Sequence, residues 1–412
     1  MNNFFLYRYK DLLLDAYKRY NTPLYVYFLD IIKERVSNLD NILRSYLENY
    51  LVAYACKACS LLYICKYLNE LGLGAEVVSD GELYIALKSG FRKGKIIFDG
   101  VSKSDSEIEY ALMQEIYSIN CESLDEIKVI SAIARKRNIT VDVGLRVNPK
   151  INVHTHEYLR TGSRYNKFGI DYEEIIRNID MVKKFDNVNV KGFHFHLGSN
   201  ISSSKPFIDA IDKVSKLIAF AIDRGYDIEY LDIGGGIPVI KDKKLLHRYL
   251  SPILESIKEK ILDIGDIKII LEPGRYIVAD SAVLLTKVNY VKKVDEREWI
   301  LIDAGMNDFI RPALYDVYHP IICLTCSSNE KRIYSVGGPV CESADVFAKD
   351  IELQAVKRGD ILMFLDVGAY GVSMSSNYNS RRRSAVIAVE KGETKLIRMR
   401  EEFKDLIDKE IT

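Results

Sequence analysis

The chain has 412 residues, with 58 Lys+Arg against 58 Asp+Glu and a formal net charge of zero. Hydrophobic residues make up 48% and charged residues 28%, which predicts a folded chain of about two or three domains at roughly 150 residues each and excludes disorder or a polyanion-binding surface driven by counterion release. No apolar run approaches the roughly 18 residues of a membrane span, the N-terminal apolar patch is too short for a signal peptide, and the seven scattered cysteines fit a reduced cytoplasm better than a secreted disulfide scaffold.

In chain order, a strand-like run at Leu24–Phe28 precedes a helical stretch over about Leu29–Asn49. Short β-branched runs then alternate with amphipathic stretches. The expected strands are Val52–Ala55, Ala75–Val78, Ile96–Phe98, Ser118–Asn120, Val141–Val147, Val190–His196, Tyr230–Ile233 and Ile267–Leu271. Apolar residues at helical spacing fill Leu61–Leu71, Ser123–Arg137, Pro206–Arg224 and Leu245–Ile261 between them. Eight strands alternating with helices over about 245 residues is the arithmetic of a (β/α)8 TIM-type barrel. An open doubly wound sheet would place a Gly-rich fingerprint after its first strand, whereas the triplet Gly234-Gly235-Gly236 follows the seventh.

After Arg275 the texture changes. Val283–Val294, Trp299–Asp303, Arg332–Val336, Ile361–Asp366, Ser384–Val389 and Lys395–Met399 read as strands with little helix between them. This predicts an all-β domain, sandwich- or barrel-like, which the first 28 residues can join. The expected division is a barrel over 29–275 and a β-domain made of 1–28 plus 276–412.

Unusual polar residues fall at the ends of the barrel strands. Lys57 follows the first, His196 ends the sixth, the glycine triplet follows the seventh, and Glu272-Pro273-Gly274-Arg275 follows the eighth. All would lie on the C-terminal rim, where barrel active sites form and where loops seven and eight often bind phosphate. The triplet would offer N–H groups unobstructed by Cβ atoms to an anion, and Arg275 would add a forked cation. Lys57 would supply an amine that condenses with a carbonyl, Glu272 would keep a ring nitrogen protonated, and His196 would lie against the ring. Pyridoxal 5'-phosphate has all the parts these groups require.

These residues resemble the fold type III pyridoxal-phosphate decarboxylases, and among them the diaminopimelate decarboxylase family. The resemblance runs through Tyr54–Ala58, Val78–Leu83, Thr161-Gly162 with Lys167–Gly169, His194–Ser199, Asp232–Pro238, Glu272–Arg275, Asp303–Tyr315, Cys341–Ser343 and Gly368–Tyr370. Departures at Cys59, Asp80 and Ser163–Asn166 remove no group that would touch cofactor or substrate.

The resemblance implies a barrel followed by a β-domain that the N-terminus completes. It implies that Lys57 holds the cofactor covalently, His196 stacks on its ring, Ser199 and Gly234–Gly236 bind its phosphate, and Glu272 partners the ring nitrogen. Arg275, Arg311, Tyr315, Glu342 and Tyr370 correspond to substrate or cofactor contacts. Cys341 corresponds to a cysteine that crosses a homodimer interface into the partner's site. The implied reaction is decarboxylation of meso-2,6-diaminopimelate to L-lysine, the last step of lysine biosynthesis, in the cytoplasm.

Three other readings compete. A racemase on a similar barrel would want a weaker electron sink than Glu272 gives. An ornithine-, arginine- or carboxynorspermidine-type decarboxylase would share the cofactor residues but have less use for a cation at the distal end of the substrate. A non-catalytic regulatory binder would have lost a cofactor residue. Elsewhere the plain readings are preferred. His154 and His156 form a loop without metal, and Cys323-x-x-Cys326 is a chance spacing. Arg381-Arg382-Arg383 is a solvated strand edge rather than a nucleic-acid patch, and Asp316 and His319 are structural or interfacial.

Overall fold

The computed structural model describes residues 3–151 and 167–411. It divides into two compact units, Arg35–Tyr276 and a second formed by Met1–Glu34 with Ile277–Thr412.

Strand β1 (Leu24–Phe28) belongs to the second unit. The first unit is built on β2 (Tyr50–Ala55), β3 (Gly74–Val77), β4 (Ile96–Phe98), β5 (Ser118–Cys121), β6 (Val141–Asn148), β7 (Ile170–Asp171), β8 (Val188–His194), β9 (Tyr230–Asp232) and β10 (Lys268–Leu271). β2 to β6 pair in sequence, β6 pairs β8, and β8, β9 and β10 follow. Parallel pairing of β10 with β2 closes the ring, and β7 attaches to β6 alone. The eight ring strands each lie within two residues of their expected bounds. They were legible because strands covered on both faces read as continuous apolar runs.

Side chains cap the helices that return the chain to the foot of each strand. Ser79, Ser104 and Ser123 accept from the backbone N–H of Glu82, Glu107 and Glu126, a contact type whose loss costs about 1 kcal/mol. Part of the Val78–Leu83 motif is therefore architectural, since Glu82 also accepts from the Val78 N–H at 3.0 Å. Inside the barrel Tyr230 is 2% exposed, and its hydroxyl lies 2.5 Å from Ser118 Oγ. A Cβ on Gly192 would come within 2.5 Å of the Tyr230 ring, so this glycine makes room for the aromatic plug.

The second unit carries one nine-stranded mixed sheet. Its strands are β1, β11 (Ala282–Val294), β12 (Arg297–Ile302), β13 (Ile321–Cys323), β14 (Lys331–Gly337), β15 (Val346–Gln354), β16 (Ile361–Phe364), β17 (Ala385–Glu390) and β18 (Glu393–Arg398). β1 lies antiparallel to β11 and parallel to β17, so the N-terminus does complete this sheet. Helix Asn3–Tyr20 was not expected. It packs Tyr9, Leu13 and Ala16 against Leu24, Val26, Phe28, Val283 and Ile387. Strand β15 was also missed. It ends the strand order and carries the exposed charges Lys349, Asp350 and Glu352, the charged composition by which edge strands avoid further pairing.

One plain reading is overturned. Cys323 and Cys326 form a disulfide rather than a chance spacing, and Cys326 Sγ lies 3.7 Å from Asp360 Oδ2. The arginine run makes no basic patch. Arg381 donates to Pro339 O, Arg382 covers the Phe403 ring, and Arg383 lies 3.8 Å from Glu401. His319 is buried edge-on to Phe309, with Nδ1 3.1 Å from Leu365 O. His154 and His156 lie outside the described residues, as do Thr161-Gly162 and Ser163–Asn166.

Candidate active site

Parallel strands all end on one rim, and here those ends carry the ionisable groups. Lys57 sits in a single turn, Cys56–Ala58, directly after β2. Its Nζ donates to Glu76 Oε1 at 2.6 Å, and the Glu76 side chain is fully buried on β3. Asp99 follows β4 and accepts from Asn120 Nδ2 at 2.6 Å. Arg146 on β6 pairs with Glu122, whose other oxygen accepts from the Gly169 N–H. The Lys167–Gly169 part of the motif is thereby tied to the barrel wall.

His194 ends β8, and His196 follows two residues beyond it. Gly235 donates its N–H to His196 Nδ1 at 3.1 Å, and Gly234 donates to Asp232 Oδ1 at 2.8 Å. Two of the triplet's N–H groups thus fix the loop itself instead of all three facing one anion. Gly234 has φ of +67°, and a Cβ on Gly235 would come within 2.3 Å of Glu272 O, so the triplet lets the loop run tightly beneath His196 and Glu272. Arg275 Nε and Nη2 each lie 3.0 Å from Ser199 Oγ, which joins two of the expected phosphate residues.

Burial dominates the electrostatics. It raises Glu272 well above the usual carboxylate range, reinforced by the negative charges of Asp99 and Glu76. Burial likewise raises Glu76 to about 7, opposed by Lys57, and raises Asp232, helped by Glu272. For Asp99 burial acts upward too, but charge at His194, the neighbouring Glu272 carboxyl, Arg146 and Lys57 together hold it low. Burial and the cations Lys57 and Arg146 push His196 well below its ordinary value, which leaves a neutral imidazole. Neither Glu272 oxygen accepts a hydrogen bond from a described donor, and a buried acceptor in that state holds a proton or awaits a donor.

The second unit holds the remaining expected residues. Arg311 opens the short helix Arg311–Tyr315 and is 4% exposed. Its guanidinium lies 5.3 Å from the Tyr315 ring centroid and 5.7 Å from that of Tyr370, so these three come together. Cys341, a free thiol, and Glu342 lie on an exposed turn. Cys341 donates its N–H to Asn379, and Tyr378 Oη lies 3.5 Å from Glu342 Oε2. The sequence reading missed Glu76, Asp99, His194 and Asp232. A signal was available, because each is an ionisable residue within or at the end of an apolar strand, and His194 and His196 are two apart, the spacing that shares a strand face.

Comparison with known proteins fixes the class first. Residues 29–279 match the family model of the pyridoxal-dependent decarboxylases, pyridoxal binding domain. The diaminopimelate decarboxylase of Aquifex aeolicus is 39% identical over 96% of this chain and 93% of its own length. That of Methanocaldococcus jannaschii is 40% identical over 97% and 93%. The crystal structure of diaminopimelate decarboxylase from Helicobacter pylori complexed with L-lysine superposes with a TM-score of 0.90 at 39% identity, covering 96% of this chain and 98% of that one. The chain belongs to the diaminopimelate decarboxylase family. Its barrel rim fits the pyridoxal phosphate that this class requires. Glu272 lacks a donor, His196 is neutral, Lys57 offers an amine, and Ser199 with Arg275 forms a hydroxyl–guanidinium pair.

Proposed function

We propose that the protein decarboxylates meso-2,6-diaminopimelate to L-lysine and carbon dioxide, the last step of lysine biosynthesis. The observation that carries this reading is Lys57 and Glu272 on one rim, an amine paired to a buried acid beside a buried carboxyl without a donor. Pyridoxal phosphate supplies a carbonyl that condenses with amines and a ring that takes up the electron pair left when carbon dioxide departs.

The chain's own residues do the rest. Lys57 would hold the cofactor through its carbonyl, with the Glu76 carboxylate 2.6 Å away as the base that would take a proton from the ammonium. Glu272 holds the proton at the ring nitrogen. His196, neutral, presents an uncharged face to the ring. Ser199, Arg275 and the Gly234–Gly236 loop hold the phosphate. Arg311, Tyr315, Glu342 and Tyr370, with Arg275, contact the substrate. Arg311 suits the distal carboxylate because a planar fork meets both oxygens. Either Cys341 or Lys57 returns a proton to the α-carbon.

We further propose a cytoplasmic homodimer with shared sites. Among the described residues no helix is long and apolar enough to cross a membrane. Cys341 and Glu342 are exposed, and the adjoining Tyr378 is 46% exposed, an aromatic ring that a partner chain would cover. The test is cofactor-dependent release of carbon dioxide from diaminopimelate, lysine, ornithine and arginine in parallel. The expected result is strong preference for diaminopimelate, and preference for ornithine would sink the assignment.

A further inference from the structure

The floor of the cofactor site holds a group of charges that the mechanism above does not use. His194 is fully buried, and its Nε2 lies 3.3 Å from Asp99 Oδ2 and 3.4 Å from Glu272 Oε2. These are ion-pair distances, yet neither ring nitrogen makes an aligned hydrogen bond with a described residue. The other cations nearby are engaged, Arg146 with Glu122 and Lys57 with Glu76. Asp232 is tied to the Gly234 N–H. Among the described residues, His194 alone lies within ion-pair distance of both carboxyls.

We propose that His194 is a positioning residue for this reaction, bridging Asp99 and Glu272 so that both carboxylates can carry charge at once and Glu272 can face a protonated ring nitrogen. The proposal rests on the reading of Glu272 as the ring-nitrogen partner. Two carboxyls in one buried site do not both ionise, because their repulsion raises one of them steeply. With no cation between them, Glu272 keeps its proton, donates it to Asp99 and leaves the ring nitrogen neutral. A positive charge on His194 lowers the cost of the doubly ionised state. The proton on Glu272 then moves to the ring nitrogen, and Glu272, Asp99 and His194 remain as two anions flanking a cation.

The deciding comparison is a double-mutant cycle on the holoenzyme. Each protein is loaded with pyridoxal phosphate isotopically labelled at its ring nitrogen, and the nitrogen NMR shift reports whether that atom is protonated. Wild type should show a protonated ring and Glu272→Gln a neutral one. If Glu272→Gln stays protonated, the underlying reading of Glu272 fails, separately from this inference. His194→Gln should give a neutral ring and lower kcat roughly tenfold to a hundredfold with KM little changed. Asp99→Asn should keep the ring protonated. The double variant His194→Gln/Asp99→Asn should regain ring protonation and recover at least about tenfold in kcat over His194→Gln, since removing the second anion relieves the repulsion. A merely structural histidine would not be rescued by a second substitution.

A protonated ring in His194→Gln, or no recovery in the double variant, overturns the proposal. If His194→Gln does not accumulate as folded protein, the double variant carries the test, because it lacks the uncompensated charge, and a neutral ring there overturns the proposal. The competing occupant is a divalent ion, because the three donor atoms lie within 4.8 Å of one another. One equivalent of metal in the purified holoenzyme would also overturn it.

Discussion

The two units manage charge in opposite ways. On the barrel rim Glu76, Asp99, Asp232 and Glu272 are buried together and answered by Lys57, His194 and neighbouring N–H groups. In the β-rich unit Cys341 and Glu342 stand exposed on a turn, while Arg311 is buried against aromatic rings. A buried charge that is left unpaired is costly, so the cluster's ion pairs and the polar atoms it leaves without partners can be read from one chain. An exposed pair carries no such requirement and takes its meaning from what covers it.

The sharpest way to break this comparison is Lys57→Ala. It removes the amine and leaves buried Glu76 without its ammonium. Turnover should fall by roughly three powers of ten or more, and borohydride treatment should no longer fix the cofactor to the chain. A variant still labelled by borohydride would show that another amine holds the cofactor. Arg311→Met comes next. Ornithine and lysine lack a distal carboxylate, so a site built for it should reject them by several powers of ten. The variant should collapse the ratio of specificity constants for diaminopimelate over ornithine by about a hundredfold or more, with cofactor affinity little changed. An unchanged ratio would return Arg311 to a purely structural role.

A smaller effect tests the exposed turn. Lys57→Ala and Cys341→Ala chains, each inactive, should regain part of the activity when mixed and re-associated. A two-fold dimer with sites shared across the interface would then contain one intact site. Hybrid dimers demonstrated by mass but without activity would place Cys341 in its own chain's site or in none.

Much of this was legible in the sequence, for physical reasons that also mark where legibility stops. The barrel strands show because parallel strands bury both faces, and Lys57, His196, the glycine triplet and Glu272 show because strand ends fall on one rim. Asp99 and His194 were passed over because neighbouring apolar residues make them look like interruptions of a strand. Their importance lies in mutual distance, which no spacing encodes when the partners are 95 residues apart in the chain. Helix Asn3–Tyr20 was missed because its apolar face becomes meaningful only against β1 and β17. The Cys323–Cys326 disulfide was read as chance because a single C-x-x-C carries no second pair to support it.

The smallest prediction asks whether buried acid in the β-rich unit behaves as it does in the barrel. Asp308 is 3% exposed, accepts from the Gly305 N–H at 3.1 Å and is hydrogen-bonded by Ser384. Burial raises it to about 6, with the Ser384 and Gly305 hydrogen bonds acting against that rise. An acid raised in the folded state binds its proton more tightly there than in the unfolded chain. Its contribution is therefore full below the unfolded value near 4 and is lost as pH climbs from about 4 to about 6. The shift corresponds to about 3 kcal/mol. The amide of Asp308→Asn does not titrate over this range. Relative to wild type, the variant should thus be more favourable by about 2 kcal/mol at pH 7 than at pH 4, whatever it loses at both from the altered contact with Ser384. Urea unfolding of both proteins at the two pH values measures this difference directly. A difference that does not change with pH would show that Asp308 titrates alike in the folded and unfolded chain. Self-compensating burial of acids would then be a property of the barrel rim and not of the β-rich unit.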